Sequence, residues 1–406
     1  MRSSTGEDIA GLILSGGEDF SIYLHIPFCA AKCPYCSFYS FVPSEGEVES
    51  YCSLLAREID FYGELLKGGG VRAATFYFGG GTPTLLAPDR WRGLLTRLGE
   101  LIPQSEGMEI SVEANPDSLL EEHLSAWREH GVTRVSVGVQ SLSDDELVLL
   151  ERLHDSKKAE HAVRMCVDEG FSVSADLIFG LPGQSLRSFA KSVEGVVSLG
   201  VDHLSLYQLT VDEGCRWSEQ REPGPADGYG FYRWAQWRMP KYGFSQYEIA
   251  SFARPGRECR HNMAYWTNGQ VLALGAGAWG CADGLRYRNE RTAAGYAAAI
   301  VATGNAVSAM EPLDAEGRAR EAAILLLRTS RGIVYDEFIS RHGEDSLAEI
   351  LAVLRQEVPP ECLIQGESSL TLSPRGMRVA NAIWRLIVQP SPVRGRGFCP
   401  RQEAPR

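Results

Sequence analysis

The segment Ser21–Cys36, SIYLHIPFCAAKCPYC, joins a short apolar run of β-strand composition to three closely spaced cysteines. Cys29, Cys33 and Cys36 have the spacing C-x3-C-x2-C and directly follow the predicted strand. Three thiolates so close together suit a soft metal or an iron–sulfur cluster. A zinc site would need a fourth ligand, and a redox pair of the last two cysteines would leave the first unexplained. We therefore expect a cluster here, with three buried structural cysteines as the alternative.

Five further apolar runs of β composition follow the first, and segments of helical periodicity separate them. The six predicted strands are Ser21–Ile26, Ala73–Phe78, Met108–Glu113, Arg134–Val139, Ser172–Phe179 and His203–Leu209. Strand, helix and strand in this repeated order predict parallel pairing with right-handed crossovers. Because six units are too few for a closed eight-stranded barrel, the predicted fold class is α/β with an open, partial barrel. An open doubly wound sheet is the alternative.

Glycine or polar residues stand at or near the ends of these strands, where parallel strands share one edge. They are Gly79–Thr82, Glu113, Gln140, Asp176 and Gln208. In barrels of parallel strands this edge carries the chemistry, so we expect a functional site there. Each residue alone could serve as a turn or a helix cap, but together they point to a site.

The rest of the chain suggests a division into five parts. We expect a loose N-terminal arm (1–20), the partial barrel (21–250), a connecting segment (251–310), a small, mainly helical C-terminal domain (311–388) and a disordered tail (389–406). The tail is expected to be disordered because it is rich in proline and arginine.

Composition narrows the possible partners and the location. The net charge of −12 argues against a nucleic-acid partner held mainly by charge. No run of about eighteen apolar residues occurs, so we expect no integral membrane span and leave peripheral contact open. Ten cysteines without a recognisable secretory signal argue against a disulfide framework and for a cytoplasmic protein.

Longer motifs carry a family resemblance. In chain order they are YLHIPFC (23–29), GGGTPT (79–84), EANP (113–116), SVGVQS (136–141), RLH (152–154) and DLIFGLP (176–182). Together with the cysteine spacing they resemble the radical S-adenosylmethionine (SAM) superfamily. Within it they resemble the HemN/HemW branch of oxygen-independent coproporphyrinogen III oxidases and related heme chaperones. The resemblance covers about residues 21 to 387, nearly the whole chain.

This resemblance implies a set of cofactors and residues that hold them. Cys29, Cys33 and Cys36 would bind a [4Fe–4S] cluster and leave one iron open for the amino and carboxylate groups of SAM. Reduction of the cluster in such proteins cleaves SAM to a deoxyadenosyl radical. The positions implied for SAM are Tyr23, Tyr35, Gly80, Gly81, Thr82, Glu113, Gln140, Arg152, Asp176 and Gln208.

A further motif, HNMAYW at His261–Trp266, matches the HNxxYW signature of the heme-binding branch. The resemblance implies that His261 ligates heme, and imidazole is a common ligand for heme iron. Alternatively, His261 caps a loop and the two aromatic residues fill the core. Cys259 is a possible second heme contact.

Three features favour the chaperone over the oxidase. Phe38 stands where the oxidase carries a further cysteine, only 22 residues precede Tyr23, and the HNxxYW motif is present. The first hypothesis is a heme chaperone that holds heme, the cluster and exchangeable SAM, and delivers heme to an acceptor protein not identifiable from the sequence. The alternative is coproporphyrinogen III dehydrogenase of porphyrin biosynthesis, so enzymatic activity is left open. A scaffold without heme or turnover is a third hypothesis.

Overall fold

Six parallel strands form the centre of the fold in this computed structural model, which describes residues 6–220 and 226–388. The strands are β1 (Phe20–Ile26), β2 (Ala73–Gly80), β3 (Gln104–Ala114), β4 (Arg134–Gln140), β5 (Ser172–Phe179) and β6 (His203–Gln208). Each pairs with the next in chain order. In register, Leu24 lies beside Phe78, and Phe78 lies beside Val112. The predicted open, partial α/β barrel is therefore confirmed.

In the described residues, seven α-helices accompany this arc of strands. They are α1 (Gly6–Gly16), α2 (Glu47–Leu66), α3 (Pro88–Leu101), α4 (Glu121–Glu129), α5 (Asp144–Leu149), α6 (Ser156–Asp168) and α7 (Leu186–Ser198). Among the apolar residues of α2 at helical spacing, Leu55 and Ile59 are fully buried in the core. α6 packs on β4 and β5, and α7 packs on β5, as crossover helices do.

The segment expected as a loose arm contains α1. Ile9 and Ile13 lie one turn apart on this helix and are fully buried in the main core. The side chain of Gln270 donates a hydrogen bond to the carbonyl of Ile13 (3.3 Å). An apolar pair at helical spacing thus docks the segment, so the described part of it is not loose. Residues 1–5 lie outside the described residues.

The chain from 216 to 312 adds short elements to both edges of the arc. They are α8 (Arg216–Gln220), α9 (Tyr229–Arg238), β7 (Ser245–Gln246), β8 (Ser251–Ala253), α10 (Arg260–Trp266), β9 (Val271–Leu274), β10 (Trp279–Ala282), β11 (Leu285–Asn289), α11 (Ala293–Thr303) and β12 (Val307–Pro312). The sheet order is β12-β11-β10-β9-β1-β2-β3-β4-β5-β6-β8-β7. The segment expected as a connection therefore builds sheet, and the expected boundary at 250 falls within the β7–β8 pair.

The C-terminal part is mainly helical, with a three-stranded sheet in the order β13-β15-β14. Its elements are α12 (Ala315–Leu327), β13 (Ile333–Val334), α13 (Tyr335–His342), α14 (Glu344–Glu357), β14 (Leu363–Gln365), β15 (Ser369–Leu372), α15 (Pro374–Arg378) and α16 (Ala380–Val388). The tail predicted at 389–406 lies outside the described residues. Among the described helices, none is long and apolar enough to cross a membrane.

A buried carboxyl group joins the edge strands to α2. Glu58 is fully buried and accepts hydrogen bonds from the Gly275 amide (2.7 Å), the Tyr296 hydroxyl (2.7 Å) and the Asn289 side chain (3.1 Å). Burial raises the pKa of Glu58 to about 7, although these hydrogen bonds oppose the shift.

This carboxyl group is expected to make stability depend on pH. Below about pH 4.5 it is protonated whether the chain is folded or unfolded, and its stabilising contribution is complete. As pH rises to about 7, Glu58 ionises first in the unfolded chain, so its contribution to the free energy of unfolding is lost. Between about pH 5 and 7 we expect the free energy of unfolding to fall less in Glu58→Gln than in the wild type, by roughly 2–3 kcal/mol. Urea titrations measure it, with the exposed Glu49→Gln on the same helix as control. An unchanged pH dependence in Glu58→Gln would refute the assignment.

Candidate functional site

The cysteine loop leaves the end of β1 and is anchored at both ends. Phe28 is fully buried, forms an isolated bridge to Phe41, and packs edge-on against its ring (5.5 Å between centroids). The Cys29 amide donates to the Phe41 carbonyl (3.0 Å). Farther along, the Trp217 amide donates to the Pro34 carbonyl (2.9 Å), which ties the loop to α8. The three cysteines therefore lie on a loop held at its base and near its middle.

The three thiols are free and half-buried, and two of them accept hydrogen bonds from the neighbouring site. The Thr82 hydroxyl donates to the Cys29 sulfur (3.6 Å), and Arg152 Nη1 donates to the Cys33 sulfur (3.4 Å). Burial, and then the charges of Cys33 and Cys29, raise the pKa of the Cys36 thiol. The thiols are thus electrostatic neighbours with cationic and hydroxyl donors around them.

Among residues 6–220 and 226–388, no three Cys, His, Asp or Glu side chains lie close enough to hold one metal ion. A [4Fe–4S] cluster makes a different demand, since each thiolate binds a different iron. Three thiols on one loop, with sulfur hydrogen-bond donors beside them, fit that demand in residue type and in surroundings.

The glycine turn after β2 is required by close packing on β1. A Cβ at Gly81 would lie 2.5 Å from the Phe28 carbonyl oxygen, and a Cβ at Gly80 would lie 2.5 Å from the His25 ring. Gly80 also has a φ of +119°, which side chains rarely adopt. The neighbouring Thr82 amide donates to the Phe28 carbonyl (2.6 Å). The turn therefore couples β2 to the cysteine loop before any ligand is considered.

Glu113, near the end of β3, is held in a fixed orientation beside this turn. One carboxylate oxygen accepts from the Tyr77 hydroxyl (2.8 Å) and the other from the Gly80 amide (3.0 Å). Burial raises the pKa of Glu113 to about 7, and the charge of Asp176 contributes further. Two half-buried carboxyl groups in one interior suit a cationic ligand, which would stabilise their charged forms.

Arg152 connects the strand ends to the cysteine loop. Besides the Cys33 sulfur, its guanidinium donates to the Asn115 side-chain oxygen and the Gly138 carbonyl (3.4 Å). Asn115 in turn donates to the Thr82 hydroxyl (3.1 Å). The Nε of Arg152 is buried and has no hydrogen-bond partner among the described residues. An unpaired guanidinium donor beside the loop fits the carboxylate of a bound amino acid group.

The other SAM positions predicted from the sequence lie around this centre in varied settings. On β5, Asp176 accepts from the Ser136 hydroxyl (3.1 and 3.2 Å to its two oxygens), and burial raises its pKa. Gln140 ends β4 with a φ of +64°, a costly conformation of the kind that functional sites retain. Gln208 is exposed at the end of β6 and packs closely over Gly228.

The two predicted tyrosines lie on different elements, the cysteine loop and β1. Tyr35 belongs to the loop and packs on Trp217 (5.9 Å between centroids), and burial with the Cys33 charge raises its pKa. Tyr23 lies on β1, and its hydroxyl is 2.9 Å from His25 Nδ1. Tyr23 stacks on Tyr77 (6.1 Å between ring centroids), the tyrosine whose hydroxyl contacts Glu113.

The predicted heme ligand, His261, is buried in the described arrangement. His261 lies on α10 and is 1% exposed, and its Nδ1 is 2.7 Å from the Thr75 hydroxyl. Burial lowers the pKa of His261 to about 3, so the ring is neutral. Its Nε2 has no partner among the described residues and is the ring atom left for iron. Because a macrocycle cannot reach an enclosed atom, heme ligation here requires α10 to move.

Cys259, considered as a second heme contact, is also enclosed. It is 2% exposed, and its sulfur lies 3.6 Å from a carboxylate oxygen of Glu109. Burial raises the pKa of this thiol to about 12.

The sequence interpretation left two residues of this network out of the site. Neither Tyr77 nor Asn115 is among the predicted site residues, yet the Tyr77 hydroxyl contacts Glu113 and Asn115 bridges Arg152 and Thr82. Strand alternation was the available signal, because Tyr77 lies two residues before Gly79 and faces the same side of β2.

A family model and individual relatives assign the chain to the same family. Residues 23–195 match the model of the radical SAM superfamily. The chain is 33% identical over 389 residues to a protein named heme chaperone HemW from Mycobacterium tuberculosis, covering 94% of this chain and 98% of that protein. It is 32% identical over 372 residues to heme chaperone HemW from Bacillus subtilis, covering 90% and 98%.

Among solved structures, the coproporphyrinogen III oxidase HemN from Escherichia coli superposes with a TM-score of 0.82. The match covers 95% of this chain and 93% of that chain at 22% identity. At this identity the likeness shows a shared fold, which includes the C-terminal helical part.

Proposed function

Because the chain belongs to the heme chaperone HemW family of radical SAM proteins, we propose that it binds heme and delivers it to an acceptor protein. We further propose that it holds a [4Fe–4S] cluster and exchangeable SAM. The observation that carries the proposal is the match over almost the full length of relatives named heme chaperones. Phe38 agrees with it, because a 68% exposed phenylalanine occupies the position of the oxidase's additional cysteine.

In this proposal Cys29, Cys33 and Cys36 hold the cluster. A cluster held there would supply an iron with an open coordination position for SAM and the electron for its reductive cleavage. Arg152 offers its unpaired Nε to the carboxylate of SAM, and Glu113 offers a carboxylate to the N–H groups of its amino group or to its ribose. Thr82 and Arg152 also donate to cysteine sulfurs, which orients the loop.

The remaining predicted positions complete the proposed SAM site. Asp176 adds a second half-buried carboxylate on strand β5, and Gln140 adds an amide at the end of β4. In the same proposal SAM is contacted by Tyr23 from β1, by Tyr35 from the cysteine loop and by Gln208 from β6. Gly80 and Gly81 contribute through the shape of the turn, because there is no room for a side chain at either position.

His261 is the proposed heme ligand, through Nε2 and after displacement of α10. In His261→Ala we expect loss of the saturable Soret shift on heme titration, because the ring supplies the bond to iron. The exposed His161→Ala on α6 is the matched control and should bind heme like the wild type. A Soret shift of wild-type amplitude and midpoint in His261→Ala would remove this residue from the heme site and leave heme binding itself intact.

Coproporphyrinogen III dehydrogenase is the second candidate function. The complete set of Glu113, Gln140, Arg152 and Asp176 favours it, since a pure carrier does not obviously need the SAM site. Incubation of the anaerobically reconstituted chain with coproporphyrinogen III, SAM and a reductant separates the two functions. The chaperone predicts no protoporphyrinogen above the level in Cys29→Ala, whereas stoichiometric release of deoxyadenosine with vinyl product would establish the dehydrogenase.

A further inference from the structure

The HNxxYW helix α10 presents different residues to its two sides. Arg260, Met263, Ala264 and Thr267 line an open cleft of about 470 Å³ beside α13. His261 contacts the interior of the barrel instead, stacked on Tyr77 at 4.8 Å between ring centroids and an interplanar angle of 21°. Tyr265 packs edge-on against the same imidazole (5.5 Å, 80°). The histidine of the motif therefore faces the SAM site and not the cleft.

Glu109 of β3 fixes the start of this helix. Its carboxylate accepts from the backbone amides of Arg260 (3.0 Å) and His261 (3.2 Å). Thr75 of β2 fixes the imidazole itself through Nδ1. A buried ring held from both its backbone and its side chain has little freedom to rotate, so it forms a stiff support for whatever it contacts.

Tyr77 is the residue that this support contacts. Thr75 and Tyr77 lie two residues apart on one face of β2, and His261 touches both. The Tyr77 hydroxyl reaches one oxygen of Glu113, while the Gly80 amide takes the other. If the ring of Tyr77 shifts, the carboxylate of Glu113 loses one of the two hydrogen bonds that orient it.

We infer that His261 is a positioning residue of the SAM site, because it fixes Tyr77 and thereby orients the Glu113 carboxylate. The inference rests on the proposed function, since it takes Glu113 as a SAM contact. In the stacked position the Nε2 of His261 is enclosed, so the imidazole cannot ligate heme iron there. The two roles of His261 therefore belong to two positions of α10.

The test is a double-mutant cycle on the full-length, cluster-loaded chain, with SAM affinity measured by equilibrium dialysis of labelled SAM. We expect His261→Ala and Tyr77→Phe each to weaken SAM binding about 10-fold, because each disturbs the same support. The double variant should bind no more weakly than the weaker single variant, since the two residues act in one chain of contacts. His261→Phe keeps a ring on Tyr77 and should retain affinity within about threefold of the wild type.

Controls separate this role from general damage. Met263→Ala changes the cleft side of α10 and should leave SAM affinity unchanged. Cluster iron content and thermal unfolding of every variant report on folding, and Tyr77→Phe removes a single hydroxyl, so one arm of the cycle keeps the packing. Wild-type SAM affinity in His261→Ala, or fully additive losses in the double variant, would overturn the inference.

The proposed function fails in a different way. If Glu113→Gln binds SAM as tightly as the wild type, or the wild type binds none, the proposed SAM site is wrong and the inference falls with it. If Glu113→Gln weakens SAM binding and His261→Ala does not, the SAM site stands and only the positioning role is lost. Heme titration of the same variants reports on heme separately.

Discussion

Replacement of Cys29 by alanine is expected to abolish the iron–sulfur cluster, with iron falling from about four atoms per chain to nearly none after anaerobic reconstitution. Three cysteine thiolates already leave one iron of the cluster without a protein ligand. Removal of Cys29 leaves only two cysteine ligands for the whole cluster. The loop itself should keep its path, because Phe28 and Phe41 anchor it independently of the sulfur. Iron and sulfide analysis, with the visible absorption of the cluster, measures the loss.

Cys281→Ala is the matched control for this experiment. Cys281 lies on β10, is half-buried like Cys29, and is free in the described structure. It should retain the full iron content. A Cys29→Ala chain that still holds all its iron, or an equal loss in Cys281→Ala, would be incompatible with the proposed cluster loop.

Glu113→Gln is expected to weaken SAM binding by about 10- to 100-fold, the range for loss of a hydrogen bond to a charged group. The amide has the shape of the carboxylate but can accept at only one of the two positions that Tyr77 and Gly80 occupy. The replacement also removes the negative charge that the carboxylate offers to the amino group or ribose of SAM. Equilibrium dialysis of labelled SAM measures the change, with the exposed Glu121→Gln on α4 as control.

The affinity of the wild type for SAM should depend on pH. Because the pKa of Glu113 is raised to about 7, the carboxylate is largely protonated below that pH and ionised above it. SAM affinity should therefore rise between about pH 6 and 8 in the wild type and change much less in Glu113→Gln. Equal pH profiles for the two chains would show that Glu113 is not the group that SAM contacts.

The arc of strands could be predicted from the sequence because apolar runs, helical segments and polar strand ends recur in one order. The same rule predicted that Glu113 and the glycine turn meet at one edge, and the Gly80 amide does contact Glu113. Parallel strands bring their carboxyl ends together whatever the details of packing, so such residues need no long-range information.

The edge strands, and the aromatic stack of Tyr23, Tyr77 and His261 beside the site, could not be predicted in this way. β8 and β9 have only three and four residues, and such short strands depend on their neighbours rather than on their own composition. The stack of His261 on Tyr77 depends on how α10 packs against β2, and the sequence pattern carries no signal for that geometry. For the same reason the need for Gly81 appears only when the Phe28 carbonyl is in place.

Heme titration of the wild-type chain, reconstituted anaerobically and followed by Soret absorption, tests the central claim most directly. The chaperone predicts a saturable shift that ends at equimolar heme, and transfer of that heme to an apoprotein acceptor. A linear, unsaturable response like that of a protein without a heme site would contradict it.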